Sequence, residues 1–229
     1  MSETSKRKGS LFTRVVVVLG ILAGAFVLPF GVGIRSFRAP SGSMQPAIYP
    51  GDYFVVTKWS YGYGRYSFAP FPGPSGRILG HAPQRGDVAV FRPASEPDRD
   101  FVKRIVGLPG DRIQMIHGVL QINGAPVTLQ DVGERSWIDD QAPEHAHVYR
   151  ETLPNGVSYE VLDRTPDGEL DNTTVFTVPE GNYFVMGDDR DNSADSRVPS
   201  MVGYVPFENI VGPVAQVIPT SPSRAVATQ

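Results

Sequence analysis

Cysteine is absent from the 229 residues. That excludes thiol nucleophiles, disulfides and thiolate metal sites, and leaves the redox compartment open. Histidine is scarce, and His81, His117, His145 and His147 are the whole supply of imidazole. Basic runs are missing beyond the N-terminus and the formal net charge is −3, so no nucleic-acid partner is expected. What the chain has in quantity is glycine, 24 residues, and proline, 21 residues. That balance points to a turn-rich, mainly β protein with one folded body and room for a smaller appended unit.

One apolar run stands out. Val15 to Ile34 is twenty residues without a charge, preceded by Lys6, Arg7, Lys8 and Arg14. About 20 apolar residues suffice to cross a bilayer as a helix. A cleaved signal peptide ending near Ala23-Gly24-Ala25 is the rival, but the run continues nine residues past Ala25. The stretch is therefore expected to be an uncleaved anchor over 15–34. The excess of positive charge before it places residues 1–14 in the cytoplasm and the rest outside.

Past the anchor, short β signals alternate with turns. Tyr53–Lys58, Val88–Arg92 and Asp100–Val106 read as strands, each rich in aromatic or β-branched residues. Asn123-Gly124 and Asn155-Gly156 mark two hairpins. Tyr61 to Pro74 holds too many glycines and prolines for a regular element and too many aromatics for a plain loop. It reads either as a loop packed on its own side chains or as an aromatic edge at the lipid interface. Asp131 to His145 is acidic and loop-like, and 131–172 is expected to be an inserted β subdomain without a part in the chemistry. Residues 35–130 and 173–217 would then form the main β domain, and 218–229 a disordered tail.

Two stretches carry candidate chemistry. Pro40-Ser41-Gly42-Ser43-Met44-Gln45-Pro46 puts two hydroxyls on a glycine turn braced by prolines, a way to present a side chain to a substrate. Gly187-Asp188-Asp189-Arg190-Asp191-Asn192-Ser193-Ala194-Asp195-Ser196-Arg197 mimics a calcium loop. However, Ala194 stands where such a loop needs glycine and Ser200 where it needs a bidentate glutamate. His145-x-His147 lacks partner ligands, and no metal site is expected. In 100–106, Lys103 shares a strand face with Phe101 and Ile105. A strand lysine ordinarily points to water, and that is the expectation from the residues alone; only if this face turns inward is Lys103 forced among apolar neighbours.

In order along the chain, these segments resemble the bacterial type I signal peptidases. The pieces that carry the resemblance are the anchor, Pro-Ser-Gly-Ser-Met-x-Pro at 40–46 and Arg-Gly-Asp-Val-Ala-Val-Phe at 85–91. Lys-Arg-Ile-Val-Gly-Leu-Pro-Gly-Asp at 103–111 and the motif at 187–197 complete the set. The resemblance implies a barrel-like antiparallel β catalytic domain. It also implies a membrane-bound endopeptidase that cuts signal peptides from secreted preproteins after small residues, without a cofactor. By the resemblance Ser43 is the nucleophile and Lys103 the general base, with Ser41 and the Ser43 N–H forming the oxyanion hole. Ser193 would orient the lysine, and Asp195 with Arg197 would support the site.

Phe37, Ala39, Pro40, Ile48, Phe54, Val90 and Val102 match the walls of the substrate pockets. The expected partners are preprotein signal peptides and the lipid bilayer of the bacterial cytoplasmic membrane, with the catalytic domain on its outer face. Ala39, Ala47 and Asp189 depart from the residues frequent in the family, respectively a bulkier aliphatic, threonine and asparagine. A base is useful near pKa ~7–8, whereas a free lysine titrates near ~10.4, so the lysine must be desolvated. Self-cleaving LexA-like repressors share the dyad, but this chain has an anchor where they need a DNA-binding or cytosolic segment. A conjugative-transfer maturation peptidase, or a membrane-tethered β-domain without catalysis, stays open as an alternative.

Overall fold

The structure is a computed structural model that describes residues 16–18, 33–69, 71, 73–139 and 142–220. Its strands, in chain order, begin with β1 (Ile34–Arg38), β2 (Tyr53–Thr57), β3 (Val88–Phe91), β4 (Phe101–Gly107) and β5 (Arg112–Ile116). Next come β6 (Val119–Ile122), β7 (Ala125–Pro126), β8 (Thr128–Asp139), β9 (Ala142–Thr152) and β10 (Ser158–Asp163). The last four are β11 (Phe176–Thr177), β12 (Asn182–Met186), β13 (Val205–Pro206) and β14 (Ile210–Ile218).

The main sheet has seven strands in the order β1-β2-β14-β3-β4-β12-β13, and the pairs within it are antiparallel. A four-stranded sheet, β11-β5-β6-β7, and a three-stranded one, β10-β9-β8, flank it. The curl of the main sheet comes from β14. Its register shifts between Ile210 and Gly212 against β3, and again between Val214 and Gln216 against β2. Extra residues of this kind bend a strand and tighten its twist. Gly212 allows the bend, because a Cβ there would stand 2.5 Å from the Thr57 carbonyl oxygen.

Side-chain alternation explains which face of each strand turns inward. In β2, Phe54 and Val56 are buried while Tyr53 is exposed. In β5, Ile113 and Met115 are buried between exposed Arg112 and Ile116. The middle of the main sheet breaks that rule: Lys103 to Gly107 of β4 are buried on both faces. One core, with Met44, Ile48, Phe54, Val56, Val90 and Val211, lies beneath the 40–46 turn. Another, around Met115, Leu120, Phe184 and Met186, joins β12 to the four-stranded sheet.

Some expectations fall outside the described residues and others need correction. Of the apolar run 15–34, only 16–18 and 33–34 are described, so the expected anchor lies mostly outside the described residues. Its last residue, Ile34, opens β1. Among the described residues no helix is long and apolar enough to cross a membrane. The acidic stretch 131–145, expected as loop, forms most of β8 and enters β9, paired from Asp131↔Tyr149 to Asp139↔Ala142. Its polarity hid the strands because this sheet buries only a small cluster, Trp137, Ala146, Val148 and Leu162. Residues 218–220, expected in a disordered tail, are ordered: Ile218 ends β14 and the Thr220 N–H donates to Asp52 at 3.0 Å. The rest of that tail lies outside the described residues.

The aromatic loop packs partly on itself. Tyr61 is buried and donates its hydroxyl to Asp87 at 2.5 Å. Tyr63 stacks on Phe68 with ring centroids 5.5 Å apart, whereas Phe71 is 74% exposed.

Phe184 is fully buried between Phe176 and Tyr204, with ring centroids at 5.1 and 6.3 Å. Phe184→Ala should cost about 3–5 kcal/mol of stability, since the cavity cannot collapse between two sheets. Denaturant unfolding at constant m-value is the measurement; a loss under 1 kcal/mol or so would mean that the two sheets do not share this core.

Candidate active site

The 40–46 turn is held at its neck and from below. Ala39 and Asp52 bond backbone to backbone at 2.8 Å, as do Gly51 and Ala39, closing the loop between β1 and β2. The Gln45 N–H donates to the Gly42 carbonyl at 2.8 Å and the Ile48 N–H to the Met44 carbonyl at 2.9 Å. Met44 and Ile48 then plug into the core beneath. Gly42 is required by a close approach, because a Cβ there would lie 2.4 Å from the Gln45 side-chain oxygen. The turn leaves Ser41 exposed and Ser43 8% exposed, with their hydroxyl oxygens 3.4 Å apart.

Lys103 comes to this turn from β4, opposite Ala89 of β3. It does not point to water: it is 4% exposed, and its Nζ donates to Ser43 Oγ at 2.6 Å. Burial pushes its ammonium down to about 8. The carboxylates of Asp195, Asp188 and Asp189 pull the other way, and the Arg197 guanidinium adds to the downward push. Desolvation wins, so an appreciable fraction of the amine is neutral near pH 8 and able to accept a proton.

The 187–197 segment forms the far wall. The Asp189 N–H donates to the Ser43 carbonyl at 3.2 Å, tying this segment to the 40–46 turn. Gly187 admits the close fit: a Cβ there would stand 2.2 Å from Ser193 Oγ and 2.5 Å from the Ser43 carbonyl oxygen. Ser193 is thus packed beside Ser43, but its Oγ is buried with no hydrogen-bond partner and makes no bond to Lys103. Asp195 and Arg197 form a fork at 2.9 Å on both oxygens, and Asp195 also accepts from the Gly187 N–H at 3.0 Å. Burial alone would raise the Asp195 carboxyl; the Arg197 guanidinium and the N–H donors outweigh it and hold the carboxyl below its usual range.

Beside the turn opens a cleft of about 150 Å³, lined by Phe37, Pro40, Phe54, Val90, Phe101 and Val102 among others. Two cross-strand pairs build it, Phe37↔Phe54 and Val90↔Val102, the first with rings stacked at 5.6 Å. The expected wall residues Ala39 and Ile48 do not line it. Ala39 is buried in the core behind, and Ile48 borders a separate cleft with Ala47, Val88 and Val214–Val217. Both match wall positions of the family; here both pack in the core beneath the turn, and Ile48 also borders that second cleft.

Sequence reasoning passed over the ionic partners around the site. Arg104 forks onto Asp188 at 2.8 and 2.6 Å, Arg164 onto Asp189 at 2.7–3.0 Å, and Arg190 reaches Glu151 at 2.8 Å. The only local signal was the run of adjacent charges at 188–190. Their partners lie 25 to 84 residues away.

The family model for signal peptidase, peptidase S26, matches residues 12–218. Signal peptidase I of Rickettsia typhi is 39% identical over 220 residues, covering 92% of this chain and 79% of the relative. Signal peptidase I of Rickettsia akari is 41% identical over 201 residues, covering 82% and 74%. A crystal structure of a signal peptidase I from Enterococcus faecalis aligns at 25% identity over 59% of this chain and 98% of that one. Its TM-score of 0.34 is too low to bear on the fold. The chain belongs to the signal peptidase family, peptidase S26. It is a serine endopeptidase of that family, and its reaction is the removal of signal peptides.

The buried amine carries a stability cost with a definite sign. Below pH 8 or so Lys103 is charged in both the folded and unfolded chain, so the penalty for burying the ammonium is fully present. As pH rises from about 8 towards 10.5 the folded chain loses the proton first and the penalty is relieved. Lys103→Met should therefore be more stable than the parent at pH 7, by up to about 3 kcal/mol, with the gap closing towards pH 10.5. Denaturant midpoints of the two proteins at pH 7 and pH 10 test this; a Met variant less stable at both would show that the lysine is not penalised by burial.

Proposed function

We propose that the chain cleaves preproteins by a Ser43–Lys103 dyad after small residues of the Ala-x-Ala type. The observation that carries the reading is the 2.6 Å contact between Lys103 Nζ and Ser43 Oγ in a buried setting. The neutral Lys103 amine takes the hydroxyl proton as Ser43 Oγ attacks the scissile carbonyl carbon. The carbonyl oxygen becomes an oxyanion, for which the Ser43 N–H and the Ser41 hydroxyl are the proposed donors; losing one such donor typically costs about 10²–10³ in turnover. The new ammonium passes its proton to the leaving amine, which departs as the mature N-terminus. A water then attacks the acyl-enzyme ester with Lys103 again as base, releasing the signal peptide and restoring Ser43.

Ser193 Oγ, buried and unpartnered, is suited to steady the amine when it leaves Ser43, and a hydroxyl left unpaired beside a reacting group fits such a part. Asp195 and Arg197 hold the segment that carries Ser193. The cleft formed by Phe37, Pro40, Phe54, Val90 and Val102 would take the small apolar side chains before the cut, while Ala39 and Ile48 shape it from behind. We read 15–34 as the membrane anchor, with residues 1–14 cytoplasmic and the β body on the outer face of the bilayer. Residue 43 follows nine positions after the run ends, so the reaction would take place at the membrane surface. The three-stranded sheet is the inserted subdomain, and the other two sheets the catalytic body.

Full-length protein in detergent, given a preprotein with an Ala-x-Ala signal, should release the mature N-terminus as read by mass. Ser43→Ala and Lys103→Met should each reduce cleavage by at least roughly 10³-fold while remaining folded. Cleavage by the parent should climb with pH through about 8, as Lys103 sheds its proton. Activity that survives in Lys103→Met would remove the lysine from the mechanism.

A further inference from the structure

The three-stranded sheet has a face on the reaction site that the proposed chemistry leaves unused. Just past the end of β10, Arg164 turns its guanidinium onto Asp189 with three bonds: Nε to both carboxylate oxygens at 3.0 Å and Nη2 to Oδ2 at 2.7 Å. The same Nη2 lies 3.4 Å from the side-chain oxygen of Gln45. Glu144 of β9 accepts from Nη1, and the guanidinium lies 5.2 Å from the Trp137 ring of β8. Asp189 is fully buried and Gln45 is 1% exposed.

Each of those two partners touches the nucleophile's own turn. Asp189 donates its backbone N–H to the Ser43 carbonyl, and Gln45 follows Ser43 by two positions with its side-chain oxygen against Gly42. The backbone around Arg164 is stitched to the same segment. The Leu162 N–H donates to the Asp188 carbonyl and the Arg190 N–H to the Leu162 carbonyl, both at 2.9 Å. The Arg164 N–H itself donates to the Asp191 carboxylate at 2.7 Å. A planar fork can meet two acceptors in fixed directions, which a point-charge ammonium cannot.

We propose that Arg164 is a positioning residue for the cleavage, fixing the Ser43 turn by holding Asp189 and Gln45 from the three-stranded sheet. The inference rests on Ser43 being the nucleophile. Arg164 does not touch the cleft of Phe37, Phe54, Val90 and Val102, so it acts on the attacking group and not on substrate capture. Without the guanidinium the Asp189 carboxylate is buried with no cation against it, a situation that forces a proton onto it or a rearrangement of the segment. Either change shifts the Ser43 carbonyl that Asp189 holds, and a misplacement of about 1 Å is enough to slow a reaction by roughly 10²-fold.

The test compares the full-length parent with Arg164→Gln, Arg164→Lys, Asp189→Asn and the double variant R164Q/D189N. kcat and KM are read separately on an Ala-x-Ala preprotein, and near-ultraviolet circular dichroism reports on the fold. Arg164→Gln should lower kcat by roughly 10–100-fold while KM stays within about twofold, and Arg164→Lys should fall between. The double variant should regain most of the lost kcat, because a neutral amide at 189 no longer needs a cation. A double variant as slow as Arg164→Gln, or an Arg164→Gln enzyme with parental kcat, would overturn the inference. Should Arg164→Gln fail to fold, the Arg164→Lys and double variants decide by the same two readouts. Parent protein that cleaves no faster than Ser43→Ala would instead bring down the nucleophile assignment, and this inference with it.

Discussion

An amine that is to be partly neutral near pH 8 has to be kept out of water. Lys103 meets that constraint by burial, and much of the surrounding architecture follows from it. β4 has to be covered on the face that carries the lysine, and it is buried from Lys103 to Gly107. The 40–46 turn closes over one side with Met44 and Ile48 driven into the core beneath it. The 187–197 segment closes over the other. Because burial is what lowers the affinity for the proton, anything that opens either cover would return the lysine towards its ordinary charge state.

Covering a lysine with a segment rich in acids brings a second difficulty. Asp188, Asp189 and Asp195 all favour the charged amine, and left unpaired they would undo the desolvation. Each is instead matched by its own guanidinium: Arg104 from β4, Arg164 from the end of β10, and Arg197 from within the segment. Arg190 is matched in reverse by Glu151 of β9. The geometry also spreads the anchoring. Successive residues 188, 189 and 190 are tied to three different strands or strand ends, so the segment cannot slide without breaking several buried pairs. Buried pairs of this type add little net stability against apolar replacements, but breaking one side is costly, which suits a part that must hold a fixed shape.

The legibility of the sequence varied with how local each cause was. Tyr53–Thr57 and Val119–Ile122 were readable because alternation and the Asn123-Gly124 turn act over a few residues. Stretch 131–145 was not, since its strands bury only one small cluster and otherwise show charged residues to water. Ala39 and Ile48 match wall positions by resemblance, yet no local rule says that they pack beneath the turn and not along the Phe37–Phe54 cleft. The charges at 188–190 mimicked only the spacing of a calcium loop, and their real partners were hidden for the same reason. Their counter-ions are far away in the chain, and nothing short of the fold supplies them.

By itself the sequence determined a mainly β body, an apolar N-terminal run, a supply of hydroxyls on a glycine turn, no thiol and only four imidazoles. These follow from composition and short-range pattern, which need only a residue's neighbours. Only the tertiary structure decided that Lys103 Nζ lies 2.6 Å from Ser43 Oγ across 60 residues of chain. It also decided that the lysine is buried and that the three-stranded sheet reaches the Ser43 turn through Arg164 and Asp189. Desolvation and ion pairing depend on what surrounds a group from every side, and those surroundings exist only once distant strands have been brought together.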